Sequence, residues 1–328
     1  MKRSRSRLAQ FLFDARNRAH LLSKSASFPV RFGARIAERL VFTPFLKTTG
    51  VNRLVSARMY GRSMVIPAEH PLPLVLMFSP QYNRGLGLAA ASIASGLGQR
   101  AHLTMIDVGA NVGETVAVVE SYSPDRFSFL CIEPDPEIAA LCRLNHEYCP
   151  RVQVERCFVG EREGMTVRLE DDGRANPSTV LVDCHRTDSH SEGKLLRLDT
   201  IAADFAAQNG GIDLIKIDTE GYDFSVLRSA ENLLKSYHPA LYFEWYPALL
   251  SPLGESILDG FSYLANVGYH HFVFFASAGN YYCRISDPDE LLLRSLASVA
   301  SSDPAILYFD VFASTDPKVC DALTERSI

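Results

Sequence analysis

The rhythm of apolar and polar positions changes near residue 100 of this 328-residue chain. Before it, Leu8, Phe11, Leu12, Ala15, Ala19 and Leu22 recur at helical spacing with Arg and Lys between them. After it, short apolar runs alternate with helical patterns. The runs predict strands at Leu103–Val108, Phe127–Ile132, Val152–Val159, Leu214–Ile217, Ala240–Phe243, His271–Ala276 and Ile306–Phe312. Helical spacing follows at about 112–121, 136–147, 223–236 and 252–266. Strand then helix, repeated, gives an α/β fold: a parallel sheet with helices on both faces. The last two strands are 29 residues apart, across Tyr281, Tyr282 and an apolar run at 291–299, and are placed to close the sheet with one antiparallel strand. Residues 160–200 are more polar and hold a hairpin pattern, Met165–Leu169 with Ser178–Val182. No repeat or low-complexity tract interrupts the chain.

Composition adds little until it is split by position. At 47% hydrophobic and 22% charged, the chain is neither disordered nor fibrous, and no apolar run approaches the 18 residues of a membrane span. Of 33 Lys and Arg, 14 fall in residues 1–62, against two acids, Asp14 and Glu38; the balance is +12 there and −17 over the remainder. This describes a basic, partly helical extension (1–80) ahead of an acidic body (81–328). Met1–Arg7 resembles the start of a signal peptide, but the apolar stretch Leu8–Phe13 is too short and Asp14, Arg16 and Arg18 follow, so none is expected. The favoured reading of the basic helix is packing on the body with its charges solvated. The sharper one is contact with an anionic membrane surface or a lipid-linked acidic substrate. A nucleic-acid partner is not expected, since the body is acidic and no aromatic-plus-basic module is present. Seven cysteines, an odd number without a C-x-x-C pair, argue against a disulfide framework or structural zinc and for a reducing, cytoplasmic setting.

The candidate chemistry begins at Met105–Thr115. An apolar strand runs into Asp107, then a turn Gly109-Ala-Asn-Val-Gly113, then a helix. Glycines suit a sharp bend against which a ligand lies, and doubly wound sheets bind ligands at this edge. The second strand ends at Glu133, 20 residues after Gly113, where an acid accepts hydrogen bonds from ribose hydroxyls. Asp135 then caps a helix begun by prolines 134 and 136. An adenosine-type ligand is implied. A dinucleotide needs G-x-G-x-x-G; here Ala110 and Asn111 stand where the second glycine would help, and Asp107 repels phosphate. S-adenosylmethionine, with a ribose, a sulfonium, an ammonium and no phosphate, fits better than NAD. A plain tight turn is the competing reading.

Ile106-Asp-Val-Gly-Ala-Asn-Val-Gly113, Cys131-Ile-Glu-Pro134, Asp213-Leu-Ile-Lys-Ile-Asp-Thr-Glu-Gly221 and Pro239-Ala-Leu-Tyr-Phe-Glu244 together resemble the FkbM family of S-adenosylmethionine-dependent methyltransferases, over about residues 100–280. The resemblance implies a Rossmann-like class I sheet of seven strands, mostly parallel with one antiparallel. It implies methyl transfer, usually to oxygen, with sugar or polyketide hydroxyls as common acceptors. It places Asp107, Gly109, Asn111 and Gly113 at the methionine end of the cofactor, Glu133 at the ribose, and Phe158, in the loosely matching Cys157–Val159, near the adenine.

Methyl transfer needs an acceptor oxygen held in line with the methyl carbon and, for a hydroxyl, a general base. Asp218, Glu220 and Glu244 follow the fourth and fifth strands and are the candidates. Competing readings assign Asp218 to the cofactor ammonium and Glu220 to a helix cap, and pair Lys216 with a nearby acid. A divalent cation on these acids is the weaker reading, so no metal is expected. Tyr242, Phe243, Trp245 and Tyr246 form either an aromatic wall for a sugar or alternate core positions. His70 between prolines is an acceptor contact or a turn residue, the polar run Asp183–His190 a solvated loop or an acceptor lid, and His270 and His271 structural. An NAD(P)-dependent oxidoreductase would want a Tyr-x-x-x-Lys pair, and Tyr237 has no Lys four residues on. The third reading is a non-catalytic binding domain on the same fold; Asp107 and Glu133 weigh against it.

Overall fold

The structure is a computed structural model and describes residues 10–11, 13–18, 54–68, 70–96, 102–170, 178–180, 192–303 and 306–328. The chain divides between Pro80 and Gln81 into two compact units. In the first, β1 (Leu54–Met59) and β2 (Arg62–Pro67) form an antiparallel hairpin around Tyr60 and Gly61, both at positive φ, as a two-residue turn between right-twisted strands requires. Residues 10–11 and 13–18 are helical, while the rest of the basic helix read over 8–22 lies outside the described residues. The Gln10 side chain exchanges hydrogen bonds with the backbone of Ser56, which ties this helix to β1. His70 is buried, and its Nδ1 accepts from the amide of Leu72 at 3.3 Å, the turn role. Among the described residues no helix is long and apolar enough to cross a membrane.

In the second unit the main strands are β3 (Leu103–Val108), β4 (Phe127–Ile132) and β5 (Val152–Glu155). A small sheet follows from β6 (Phe158–Val159), β7 (Thr166–Glu170), β8 (Ser178–Val180) and β9 (Glu192–Leu196); the main sheet resumes with β10 (Leu214–Ile217), β11 (Ala240–Trp245), β12 (His271–Ala276), β13 (Tyr281–Ser286) and β14 (Phe309–Ser314). Eight strands lie in the order β13-β12-β14-β11-β10-β3-β4-β5. Every residue of β3 and β10 is buried, which is why their sequences read as unbroken apolar runs.

The expected Rossmann-like sheet is present, with β14 antiparallel between β11 and β12. It carries an eighth strand, β13, which folds back antiparallel on β12. This edge strand is only half-buried, so its mixed sequence carries no continuous apolar signal. Two other expectations shift. The helix read at 223–236 is two, Asp223–Arg228 and Glu231–Tyr237. Between them, buried Ser229 accepts from the Leu198 amide through its Oγ (3.1 Å), and its carbonyl accepts from Asp199 (3.1 Å). The Val152–Val159 run divides, Val152–Glu155 staying in the main sheet while β6 pairs with β9. The hairpin pattern is borne out in β7 and β8. The run Asp183–His190 lies outside the described residues.

The core on one face of the main sheet is aromatic. Trp245 contacts Phe261, Phe274 and Phe309, with ring centroids 5.3–6.1 Å apart. The six described cysteines are free.

Candidate active site

The bend after β3 is held from three sides. The amides of Gly109 and Ala110 both donate to the Ile132 carbonyl at 3.0 Å. Asn145 Nδ2 donates to the Val112 carbonyl (2.9 Å), and His146 Nε2 lies 2.8 Å from the Gly113 carbonyl, so the helix Pro136–Asn145 braces the turn. Gly109, Asn111 and Gly113 all have positive φ. At Gly109 the requirement is double, because a Cβ would sit 2.0 Å from the Asp218 carbonyl oxygen. The bend after β3 and the end of β10 therefore touch backbone to backbone. Gly109→Ala is expected to cost at least about 2 kcal/mol through strain and a displaced Asp218. Denaturant unfolding measures it, and an unchanged midpoint would count against the contact.

Glu133 closes β4 and is 8% exposed. Its Oε2 accepts from the Asn111 amide (2.9 Å) and its Oε1 from the Asp135 amide (3.0 Å). Burial raises its pKa to about 7, the two amides opposing the rise. Asp135 caps the next helix by accepting from Glu137 and Ile138, as its sequence position suggested.

Asp107 is fully buried beneath the bend. Lys216 lies opposite it in the β3–β10 register, with Nζ 3.1 Å from Asp107 Oδ1. The same ammonium donates to the Gly109 carbonyl (3.2 Å) and lies 3.7 Å from Asp218 Oδ2. Burial pushes the Asp107 carboxyl up and Lys216 opposes this; the acids around Lys216 outweigh its own burial and hold it well above the usual lysine range.

Register places a second row of charge beyond that pair. Lys216 is level with Tyr242, and Glu244 with Asp310. The Asp218 amide continues the ladder by donating to Val108 O at 3.0 Å. With side chains alternating in period two, Asp218, Glu244 and Asp310 form a row of acids across β10, β11 and β14, on the face of Lys216 and Tyr242. Asp218 is 44% exposed. Glu244 Oε1 is buried without a hydrogen-bond partner. Burial first, then Asp218, Asp223 and Asp310, hold Glu244 well above the carboxylate range. Asp310 is pushed up to about 8 by burial and then by Asp218. Asp223 anchors the row from behind, accepting from Thr219 Oγ1 (3.0 Å) and the Glu244 amide (3.1 Å), and burial lifts it to about 7. Glu114, which opens the helix after the bend, is lifted to about 8 by burial. Glu220 sits at φ +52 in the turn after β10, close enough to add to the field at Glu244.

Tyrosines border this row. Tyr82 hydrogen-bonds Tyr308, and both hydroxyls are raised by burial and by Asp310. The Tyr246 and Tyr308 rings are 5.9 Å apart. Of the aromatic run around Glu244, Phe243 and Trp245 belong to the core and Tyr242 is buried, which leaves Tyr246 at the edge. Phe158 packs its ring with Val167 and Leu195 in the small sheet.

Asp310, Tyr82 and Tyr308 escaped the sequence reading, which sought acids after parallel strands. Because β14 runs in reverse, its first residues reach the same edge. The signal was a lone acid inside the apolar Phe309-Asp-Val-Phe-Ala313. Among the described residues, no three His, Cys, Asp or Glu side chains converge as a metal site requires.

Residues 107–270 match the methyltransferase FkbM domain family. No curated protein matches the chain. Among solved structures, a methyltransferase FkbM from Methylobacillus flagellatus KT is 20% identical, with 76% of this chain and 59% of that one covered and a TM-score of 0.38. This chain thus spans less than two thirds of that protein's length. Precorrin-6y C5,15-methyltransferase from Geobacter metallireducens GS-15 is 13% identical, covering 69% and 86%, with a TM-score of 0.34. M. jannaschii TYW2 in complex with AdoMet is 11% identical, covering 79% and 84%, with a TM-score of 0.38.

Proposed function

The chain belongs to the FkbM methyltransferase family, and from that premise we propose that it transfers a methyl group from S-adenosylmethionine to a hydroxyl oxygen, with a sugar or glycan as acceptor. The observation that carries this reading is the meeting of two features at one sheet edge: the glycine bend closed by Glu133, and the acid row Asp218–Glu244–Asp310.

The residues present suit this cofactor. Glu133 would accept from the ribose hydroxyls with the lone pairs its two amide donors leave free. Gly109, Asn111 and Gly113 let the backbone lie against the ligand. Asp218, the exposed member of the acid row, would meet the ammonium. The charge of Lys216 is already engaged by Asp107 and the Gly109 carbonyl and is not available to a pyrophosphate, which disfavours NAD(P). When bound, S-adenosylmethionine supplies a methyl carbon activated by its sulfonium.

The protein's part is to hold the acceptor and take its proton. Glu244 is the group we assign as general base: it is the penultimate residue of β11, stands in the acid row and keeps one oxygen free of partners. Its raised pKa makes it a stronger base than an ordinary glutamate once ionised. Tyr246, Tyr308 and Tyr82 border the row and would give a sugar aromatic surface to pack on and hydroxyls to bond. The basic first 62 residues suit an acceptor that is anionic or lipid-linked.

Thermal shift tests the cofactor: S-adenosylhomocysteine is expected to raise Tm and NADH to leave it unchanged. A labelled methyl donor with a panel of sugars, glycans and amines tests the acceptor. Stabilisation by NADH alone, or label only on nitrogen, would overturn the proposal.

A further inference from the structure

Asp218 and Glu244 would meet donor and acceptor directly, whereas Lys216 would touch neither. Yet this ammonium stands in a four-residue strand whose other members, Leu214, Ile215 and Ile217, are apolar and buried. Burying an ammonium is costly unless its charge is matched and its hydrogens are used. Lys216 satisfies both conditions, drawing on three separate segments. Asp107 at the end of β3 supplies the charge at 3.1 Å, Gly109 in the bend supplies a carbonyl at 3.2 Å, and Asp218 after β10 lies at 3.7 Å. These segments are the ones whose backbones touch at Gly109 and Asp218.

We propose that Lys216 is a positioning residue: it neutralises Asp107, fixes the Gly109 carbonyl, and so leaves Asp218 as the acid that meets the ammonium of S-adenosylmethionine. The inference rests on the cofactor lying over the bend, as read above. It moves the cation-binding role, which the sequence alone had shared with Asp107, onto Asp218. The exposures agree, since Asp107 is fully buried while 44% of the Asp218 side chain is open. The charges agree as well: Asp107 and Lys216 cancel, and Asp218 keeps one negative charge facing outward. A phosphate arriving at the bend would meet that charge and a Lys216 already engaged by Asp107 and the Gly109 carbonyl, so the same arrangement disfavours dinucleotides.

A purely structural ion pair would be replaceable by a neutral pair of similar size. The test therefore compares Lys216→Met with the double variant Asp107→Asn/Lys216→Met, reading Tm, calorimetric affinity for S-adenosylmethionine, and the split between donor KM and kcat. Lys216→Met strands a buried acid and is expected to lower Tm by roughly 5–10 °C. The double variant is expected to recover most of that Tm while binding S-adenosylmethionine at least about tenfold more weakly, with donor KM rising more than kcat falls. Wild-type affinity and KM in a folded double variant would overturn the proposal. Should neither variant fold, Lys216→Arg keeps the charge and moves it off the Gly109 carbonyl. Weaker donor binding at unchanged Tm then supports the role, and unchanged binding overturns it. Failure of the underlying reading shows differently: the unmodified protein would bind neither S-adenosylmethionine nor S-adenosylhomocysteine.

Discussion

Glu133→Ala is expected to give a folded protein that no longer binds S-adenosylhomocysteine measurably. The carboxylate holds the bend from inside and, in the proposed function, would hold the ligand from outside. Inside, its loss removes the carboxylate that accepts from the part-buried amides of Asn111 and Asp135, at about 1 kcal/mol for each bond. Asn111 also sits at φ +47, a conformation that its amide's bond to Glu133 helps to hold. Outside, two charge-assisted bonds to the ribose would be lost on the proposed reading, each worth about 1.5–3 kcal/mol, so affinity is expected to fall by roughly 10²–10⁴. Calorimetry reads the affinity and circular dichroism the fold. Binding within a few-fold of wild type would remove Glu133 from the site. Glu133 must be ionised to accept from the hydroxyls, and its pKa is raised to about 7, so cofactor affinity should weaken as pH falls below that value. The unliganded fold responds in the opposite sense. With the carboxyl raised from 4.5 to about 7, the native state holds the proton more tightly than the unfolded chain does. The stabilisation this gives is complete below the unfolded value and is lost as pH rises through about 7. Glu133→Gln should flatten both dependences.

Glu244→Gln is expected to lower kcat by about 10²–10⁴ while leaving affinity for S-adenosylhomocysteine nearly intact, the range for loss of a general base. The substitution keeps shape and volume. It also relieves the repulsion that Asp218, Asp223 and Asp310 exert on a charge at this position, so the fold should be at least as stable. The pH profile gives the sharper readout. A base works only when ionised, and this carboxyl is held well above the ordinary range, chiefly by burial. Wild-type kcat/KM should therefore climb with pH along a limb displaced to the alkaline side of an ordinary glutamate, and that limb should vanish in Glu244→Gln. If the variant turns over normally and Glu220→Gln does not, the base lies in the turn after β10.

The parts of this molecule that could be read from sequence are those whose environment is uniform. Strands β3, β4, β10 and β12 begin and end where their apolar runs do, because sheet interior lies on both sides of them. The turn and Glu133 were legible because positive φ and a strand-ending acid leave marks in single residues. Features that depend on a distant partner were not. The helix break at Ser229 answers to Leu198 and Asp199, some thirty positions earlier. Asp310 joins the acids only through an antiparallel register with Glu244, which no local pattern encodes. The sequence offered Lys216 an unnamed acid as partner, and only the alignment of β3 with β10 identifies it as Asp107.

The order of the strands separates the proposed donor residues from most of the acceptor residues along the gene. Everything that we assign to holding the nucleoside is encoded between Asp107 and Asp218, whereas Glu244, Tyr246, Tyr308 and Asp310 come from later codons. Tyr82 is the lone member of the second group encoded upstream. On the proposed assignment, mutations in the final third of the coding sequence would retune which molecule receives the methyl group more than which molecule gives it, and a crossover between these stretches would exchange every assigned acceptor-side residue except Tyr82.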